Sequence, residues 1–211
     1  ARHDVATMMQ GPIAQDCGQL FADRWERSGG GRLEVPEPDY SEDSPWPAGV
    51  TPDLIGETVA LARTEPSWKA RNGVQEGLRL HLAAIMSARR TIYLENQYLT
   101  APTIVEALCR RLGEEDGPEI ILIGPEASPS FFDRMTMDSA RLAAIGLLSE
   151  ADVHGRFSAY TARTRSDQPI IVHSKVTIID DTFLRIGSAN LNNRSQGLDT
   201  ECDMAIEADL I

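Results

Sequence analysis

The chain has 211 residues, 42% hydrophobic and 25% charged, the balance of one substantial globular domain or one half of a larger enzyme. A formal net charge of −12 argues against a non-specific nucleic-acid binder, whose affinity comes from Lys and Arg neutralising phosphates, and against electrostatic docking on an anionic membrane. It does not exclude a local basic pocket.

In chain order, Ile13, Cys17, Leu20, Phe21, Arg24 and Trp25 recur at helical spacing and predict an amphipathic helix over 12–27. Residues 28–53 hold Ser28-Gly-Gly-Gly31 and prolines at 36, 38, 45, 47 and 52, and read as a long aperiodic loop. The glycine run lacks the Lys-Ser/Thr of a P-loop. A strand is expected at Thr58–Arg63, then a helix at Gln75–Ala88 with Leu78, Leu82, Ile85 and Met86 facing inward. Thr91–Tyr93 starts a strand that runs into Leu94-Glu95-Asn96-Gln97-Tyr98. Pro102–Leu112 reads as a helix with its proline in the first turn, where a missing N–H costs nothing. Glu119–Ile123 is a short buried strand, and Ser130–Glu150 the longest predicted helix, with Phe131, Met135, Leu142, Ile145 and Leu148 on one stripe. Strands follow at Phe157–Thr161, His173–Asp180, Phe183–Ile186 and Thr200–Ile206. Alternating helices and strands predict an α/β fold, a mixed β-sheet flanked by helices.

The cysteines, Cys17, Cys109 and Cys202, form no C-x-x-C pair, so no zinc site or redox motif is expected. They fit a reducing compartment or small buried residues. No apolar run reaches the roughly 20 residues of a membrane span, and no signal-peptide pattern opens the chain. The opening Ala-Arg-His-Asp and the unfinished strand at the other end read as a fragment of a longer protein.

Chemistry concentrates near residue 173. Val172, Ser174, Val176 and Ile178 alternate with His173, Lys175, Thr177 and Ile179, and successive side chains of a strand point to opposite faces. His173 and Lys175 therefore project from one face, with Val172 and Val176 packed on the other. An imidazole beside a fixed ammonium can attack phosphorus, or protonate a phosphorus-linked oxygen, while the cation holds the equatorial oxygens. Asp180 belongs to the same run, but its odd offset from His173 turns it to the other face. The favoured reading of Asp180 is structural, accepting hydrogen bonds at the Asp180-Asp181 turn, against direct chemistry.

His173-x-Lys175-x-x-x-x-Asp180 followed by Gly187-Ser188-x-Asn190 resembles the catalytic signature of the phospholipase D superfamily, without departure. Ile92–Tyr98 resembles the strand upstream of the second such motif, and Ser188–Ser195 with Gly197–Glu201 the segment downstream of it. Arg2-His3-Asp4, Gly11-Pro12 and Phe21-x-x-Arg24-Trp25 resemble the stretch after the first motif. The resemblance spans nearly the whole chain outside 28–53, and is nearest to bacterial proteins similar to eukaryotic-type phospholipase D. It implies that 1–53 is the tail of a first half plus a linking loop, and 54–211 a second catalytic half.

The resemblance also implies roles. The family cleaves or transfers phosphodiesters through a phosphohistidine, without metal or cofactor, using two histidines, one from each half. His173 is then the general acid for the leaving alcohol and later the base, an assignment that can reverse between members. Lys175 and Asn190 bind non-bridging phosphate oxygens, and Ser188 donates in the same pocket or steadies its turn. A carboxylate on the strand after the turn is expected to hold the other nitrogen of His173, with Glu201 favoured over Asp199 and Asp203. Glu201→Gln is then expected to cost more activity than Asp203→Asn. Glu95 and Asn96 end a buried-looking strand and are candidates for lining the substrate site. Arg194 is a candidate phosphate contact against a turn-stabilising role.

The implied partners are a phospholipid and either an upstream half with the first motif or a second copy, with no nucleic acid. The implied location is cytoplasmic or peripheral at the inner membrane face of a bacterium. Two rival readings stand beside this one: a nuclease-type phosphodiesterase, and a fragment that folds and binds phosphate without turnover.

Overall fold

The computed structural model describes residues 1–37, 46–128 and 134–208. The chain forms two compact units, Thr7–Val59 on one hand and Ala1–Ala6 with Ala60–Ile211 on the other. The first six residues thus belong to the larger unit.

The smaller unit is built on helix α1 (Pro12–Arg27). Pro12 starts it, Gly11 precedes it at a φ of 98° that favours glycine, and Arg24 and Arg27 sit in the last turn, where the helix dipole favours cations. Ile13, Leu20 and Ala22 are buried, whereas Phe21 and Trp25 stack on one another on the exposed side. The described parts of 28–53 carry no helix or strand, and the prolines at 38 and 45 lie outside the described residues.

In the larger unit, short strand β1 (Arg2–His3) pairs in parallel with β7 (Ile171–Val172). The main sheet has eight strands: β2 (Val59–Glu65), β3 (Val74–Gln75), β4 (Thr91–Glu95), β5 (Glu119–Gly124), β6 (Phe157–Thr161), β8 (Val176–Ile179), β9 (Phe183–Gly187) and β10 (Glu201–Glu207). They run in the order β3-β2-β10-β9-β8-β4-β5-β6. β4, β5 and β6 are mutually parallel, while β8 pairs antiparallel with both β4 and β9, and β9 with β10. The sheet is therefore mixed, and the α/β expectation holds.

Helices α2 (Glu76–Ser87), α3 (Pro102–Leu112) and α4 (Ser139–Ala151) supply the other layer, with α3 packed against both others. Ile104, Leu108 and Leu112 of α3 meet Ile92, Leu94, Ile120 and Leu122 of the sheet in one core that also takes in Ile85 and Leu148. Met86 and Leu142, expected to face inward, are exposed instead. The predicted helix over 130–150 divides: Arg134–Asp138 is a π-helical turn, α4 follows, and Ser130 and Phe131 lie outside the described residues.

The predicted strand over 173–180 also divides. Residues 173–175 lie between β7 and β8, because their backbone groups bond elsewhere: the His173 N–H to the His3 carbonyl (2.8 Å), the Lys175 carbonyl to the Gly187 N–H (3.2 Å). Among the described residues, no helix is long and apolar enough to cross a membrane.

Candidate active site

The interruption between β7 and β8 places His173 between two neighbouring segments. Asp4, just after β1, meets its ring: Nδ1 donates to Asp4 Oδ2 at 2.8 Å. A carboxylate can only accept, so the pair fixes the proton on Nδ1 and leaves Nε2 for chemistry. The imidazole is 37% exposed, open to a substrate. That hydrogen bond and the imidazole's charge, opposed by burial, hold the Asp4 carboxyl below its ordinary value.

Lys175 is buried, and its ammonium donates to the His173 carbonyl. Burial pulls it below the ordinary lysine value, while the carboxylates of Asp4 and Glu201 favour its charge. A desolvated cation holds an anion more strongly than one in water, and the two carboxylates favour its staying charged.

The Gly187–Asn190 turn leaves β9 and is tied down from three directions. Ser188 Oγ donates to Glu201 Oε2 at 2.5 Å and accepts from the Cys202 N–H at 3.0 Å. Ala189 is gripped by Arg185 and Asp203, whose side chains form a buried ion pair at 2.6 Å. The carbonyl of Asn190 accepts from Gln196 Nε2 at 2.7 Å. The side-chain oxygen of Asn190 is buried without a hydrogen-bond partner among the described residues, so the fold does not consume this amide oxygen.

Several sequence expectations are corrected here. The carboxylate at His173 Nδ1 is Asp4, whereas Glu201 holds Ser188. Asp180 is no part of the site: its carboxylate accepts from the backbone N–H groups of Arg89, Arg90 and Thr91 at 2.7, 2.7 and 2.8 Å. It lies beyond the far end of β8, on the order of 15 Å along the chain from Lys175.

Glu95 is engaged by neighbours within the fold. Its oxygens accept from Tyr93 (2.6 Å), Ser174 (2.6 Å) and His3 (2.8 Å). Burial alone would raise this carboxyl; the hydrogen bonds outweigh that and lower it. The same contact and burial push the Tyr93 phenol up. Asn96 is buried, its Oδ1 accepting from the N–H groups of Tyr98 and Leu191, both at 3.1 Å. Arg194 is 75% exposed and paired with Asp199 at 2.8 Å, which is the turn-stabilising alternative.

Sequence reasoning missed Asp4 because 169 residues separate it from His173 and no local pattern links them. It also missed His3 as the partner of Glu95. A signal for Arg185 was present: a lone cation between Leu184 and Ile186, with Glu201, Asp203 and Glu207 on the facing side of the next strand. Among the described residues, no group of His, Cys, Asp and Glu is arranged to hold a metal ion.

Comparison with known proteins bears on the family and the fold. The family model described as "Cardiolipin synthase, PLD-like domain" matches residues 81–211. Cardiolipin synthase A of Erwinia tasmaniensis is 26% identical over 207 residues, which cover 98% of this chain and 37% of that protein. The Yersinia pseudotuberculosis protein of the same name is 23% identical over 209 residues, again 98% and 37%. The chain thus spans 37% of the length of these curated relatives. Among solved structures, Nuc of Salmonella typhimurium, a phospholipase D family member, aligns with a TM-score of 0.50 at 22% identity, over 72% of this chain and 83% of Nuc. NucT of Helicobacter pylori aligns with a TM-score of 0.51 at 18% identity, over 71% and 86%. Phosphatidylserine synthase of Haemophilus influenzae gives 0.50 at 15% identity, over 71% and 34%. At such identities the structural likeness concerns the fold.

Proposed function

The chain belongs to the phospholipase D-like domain family, and from that membership we propose that it supplies one half of a two-histidine site that cleaves or transfers phosphodiesters of phospholipids. The observation that carries the proposal is His173, held at Nδ1 by Asp4, beside the buried Lys175 ammonium. The names of the relatives, cardiolipin synthases, favour a phospholipid substrate. The chain's net charge of −12 counts against a polynucleotide one.

The chemistry needs two imidazoles. One, from the other half, attacks phosphorus; the bond to the leaving alcohol breaks, and that alcohol takes the proton of His173 Nε2. The product is a phosphohistidine. His173, now neutral, removes a proton from water or an acceptor alcohol, which displaces the histidine and completes hydrolysis or transfer. Asp4 stabilises the imidazolium form at each stage, and Lys175 and Asn190 hold the non-bridging oxygens.

The test offers phosphatidylcholine vesicles, phosphatidylglycerol vesicles and plasmid DNA to the longer protein that carries both halves. The expected result is release of the headgroup alcohol, or a transfer product, that persists with a chelator and disappears in His173→Ala. A phosphoryl label stable to base and labile to acid should accumulate on the protein in mid-reaction. Chelator-sensitive turnover, or parental rates in His173→Ala, would sink the proposal. Cleavage of DNA alone would replace the substrate class.

A further inference from the structure

One buried charge pair lies directly behind the phosphate-binding turn without belonging to it. Arg185 on β9 and Asp203 on β10 are 1% and 0% exposed and meet at 2.6 Å. Between them they take both backbone groups of one residue: Arg185 Nη2 donates to the Ala189 carbonyl at 2.9 Å, and the Ala189 N–H donates to Asp203 Oδ1 at 3.1 Å. Ala189 separates Ser188 from Asn190, so fixing its peptide groups fixes where both neighbours point. The register explains the reach. Asp203 lies opposite Gly187 and Arg185 opposite Ala205, which puts both side chains on one face of the sheet. A β-carbon at Gly187 would fall inside the Asp203 carboxylate. The glycine of the motif is thus required by the close approach of Asp203.

We propose that Arg185 and Asp203 are positioning residues, an internal clamp that holds the Ser188-Ala189-Asn190 turn in the geometry that grips phosphate. The proposal rests on the reading of this turn as a phosphate site. A stability role is a poor account of the pair. Buried ion pairs replaced together by apolar residues of similar size often leave a protein as stable or more so. This pair also leaves several of its own polar atoms without hydrogen-bond partners among the described residues: Arg185 Nε and Nη1, and Asp203 Oδ2. Unspent polar atoms at complete burial are a stability cost. What the pair does provide is direction: one guanidinium nitrogen and one carboxylate oxygen aimed at the two backbone groups of Ala189.

The test measures binding of inorganic phosphate to the chain by calorimetry, together with amide hydrogen exchange at Ala189 and along β10. The variants are the apolar double Arg185→Met/Asp203→Leu and the single Arg185→Lys. The double variant is expected to melt no lower than the parent, to bind phosphate about tenfold more weakly, and to exchange the Ala189 amide faster while β10 stays protected. Arg185→Lys keeps the buried charge, but its ammonium stops one bond short of the Nη2 position that meets both Asp203 and the Ala189 carbonyl, and it should show the same weakening and the same faster exchange. If the double variant fails to fold, the lysine variant decides.

Parental phosphate affinity in a folded variant overturns the clamp. If the parent does not bind phosphate, the reading of the turn fails. The exchange arm then still judges the clamp, since unaltered Ala189 protection in the variants overturns it and lost protection supports it.

Discussion

Two carboxylates flank the candidate site, and each holds a different group: Asp4 the His173 Nδ1, Glu201 the Ser188 hydroxyl. An imidazole that alternates between acid and base gains most from a carboxylate at its other nitrogen, which fixes the tautomer and stabilises the cation. In the active two-half enzyme, Asp4→Asn is therefore expected to lower kcat about 10–100-fold with little change in KM. Glu201→Gln, which releases Ser188, should appear mainly in KM. Steady-state kinetics of the two variants separate the roles, and a parental kcat in Asp4→Asn would return the Nδ1 role to Glu201. Asp203→Asn strands the buried Arg185 charge, so it is expected to cost at least as much activity as Glu201→Gln, against the order expected from the sequence.

Lys175 adds a pH dependence at the same scale. Burial lowers its ammonium from the ordinary 10.5, partly offset by Asp4 and Glu201. In the proposed role the charged form holds phosphate, so affinity should be full at neutral pH and fall as pH rises through the lowered value, below 10.5. Calorimetry with inorganic phosphate from neutral pH to about pH 10 should show that fall. Arg stays charged throughout, so Lys175→Arg should remove it. A fall that persists in the arginine variant would assign it to another group.

Among the elements, the motif's last residue does the work of a joint. The Asp180 carboxylate takes three consecutive backbone N–H groups at the connection from α2 into β4, and its own backbone sits at a φ of 54°. Burial opposes its charge, but those N–H donors outweigh it and hold the carboxyl below its ordinary 3.8. A depressed carboxyl contributes stability that is present above the unfolded value and lost as pH falls through the folded one. Asp180→Ala should thus cost roughly 2–3 kcal/mol at neutral pH, a drop in Tm of roughly 5–10 °C for a chain of this size. Asp180→Asn should flatten the loss of stability that the parent is expected to show below pH 3.8 in acid denaturation. Unchanged melting of Asp180→Ala would show that the three N–H groups find other partners.

Asp180 also marks how far sequence reading reached. Its odd offset from His173 is a local fact that favours a structural role, although it assumes a continuous strand that the structure divides at 173–175. α3 was legible to the residue, because Pro102 and the Ile104, Leu108, Leu112 spacing are local signals too. The break at 173–175 was not, because alternation persists in the sequence while the ladder partners change from β1 to β9. Asp4 was not for the same reason: its partner is chosen by tertiary pairing of β1 with β7, which no period within either segment announces.

For the whole molecule, the question is where the second imidazole comes from. One histidine cannot both carry the phosphoryl group and protonate the leaving alcohol in the same step, so under the proposed function a chain that offers His173 alone would supply half of a catalytic unit. The curated relatives are longer, this chain spanning 37% of their length, which favours a second half on the same polypeptide over a second copy of this one. The two arrangements differ in how they respond to mixing. If both histidines come from one polypeptide, equal amounts of the parental long protein and its His173→Ala variant should give about half the parental activity, at any concentration. If the site forms between two copies that both contribute His173, random pairing leaves only about a quarter of the pairs intact. Specific activity would then also rise with dilute protein concentration, as the copies associate. The value of one half, independent of concentration, is the expected outcome. A value near one quarter would move the second histidine into a partner copy, and would predict that this chain turns over substrate by itself once concentrated enough to pair.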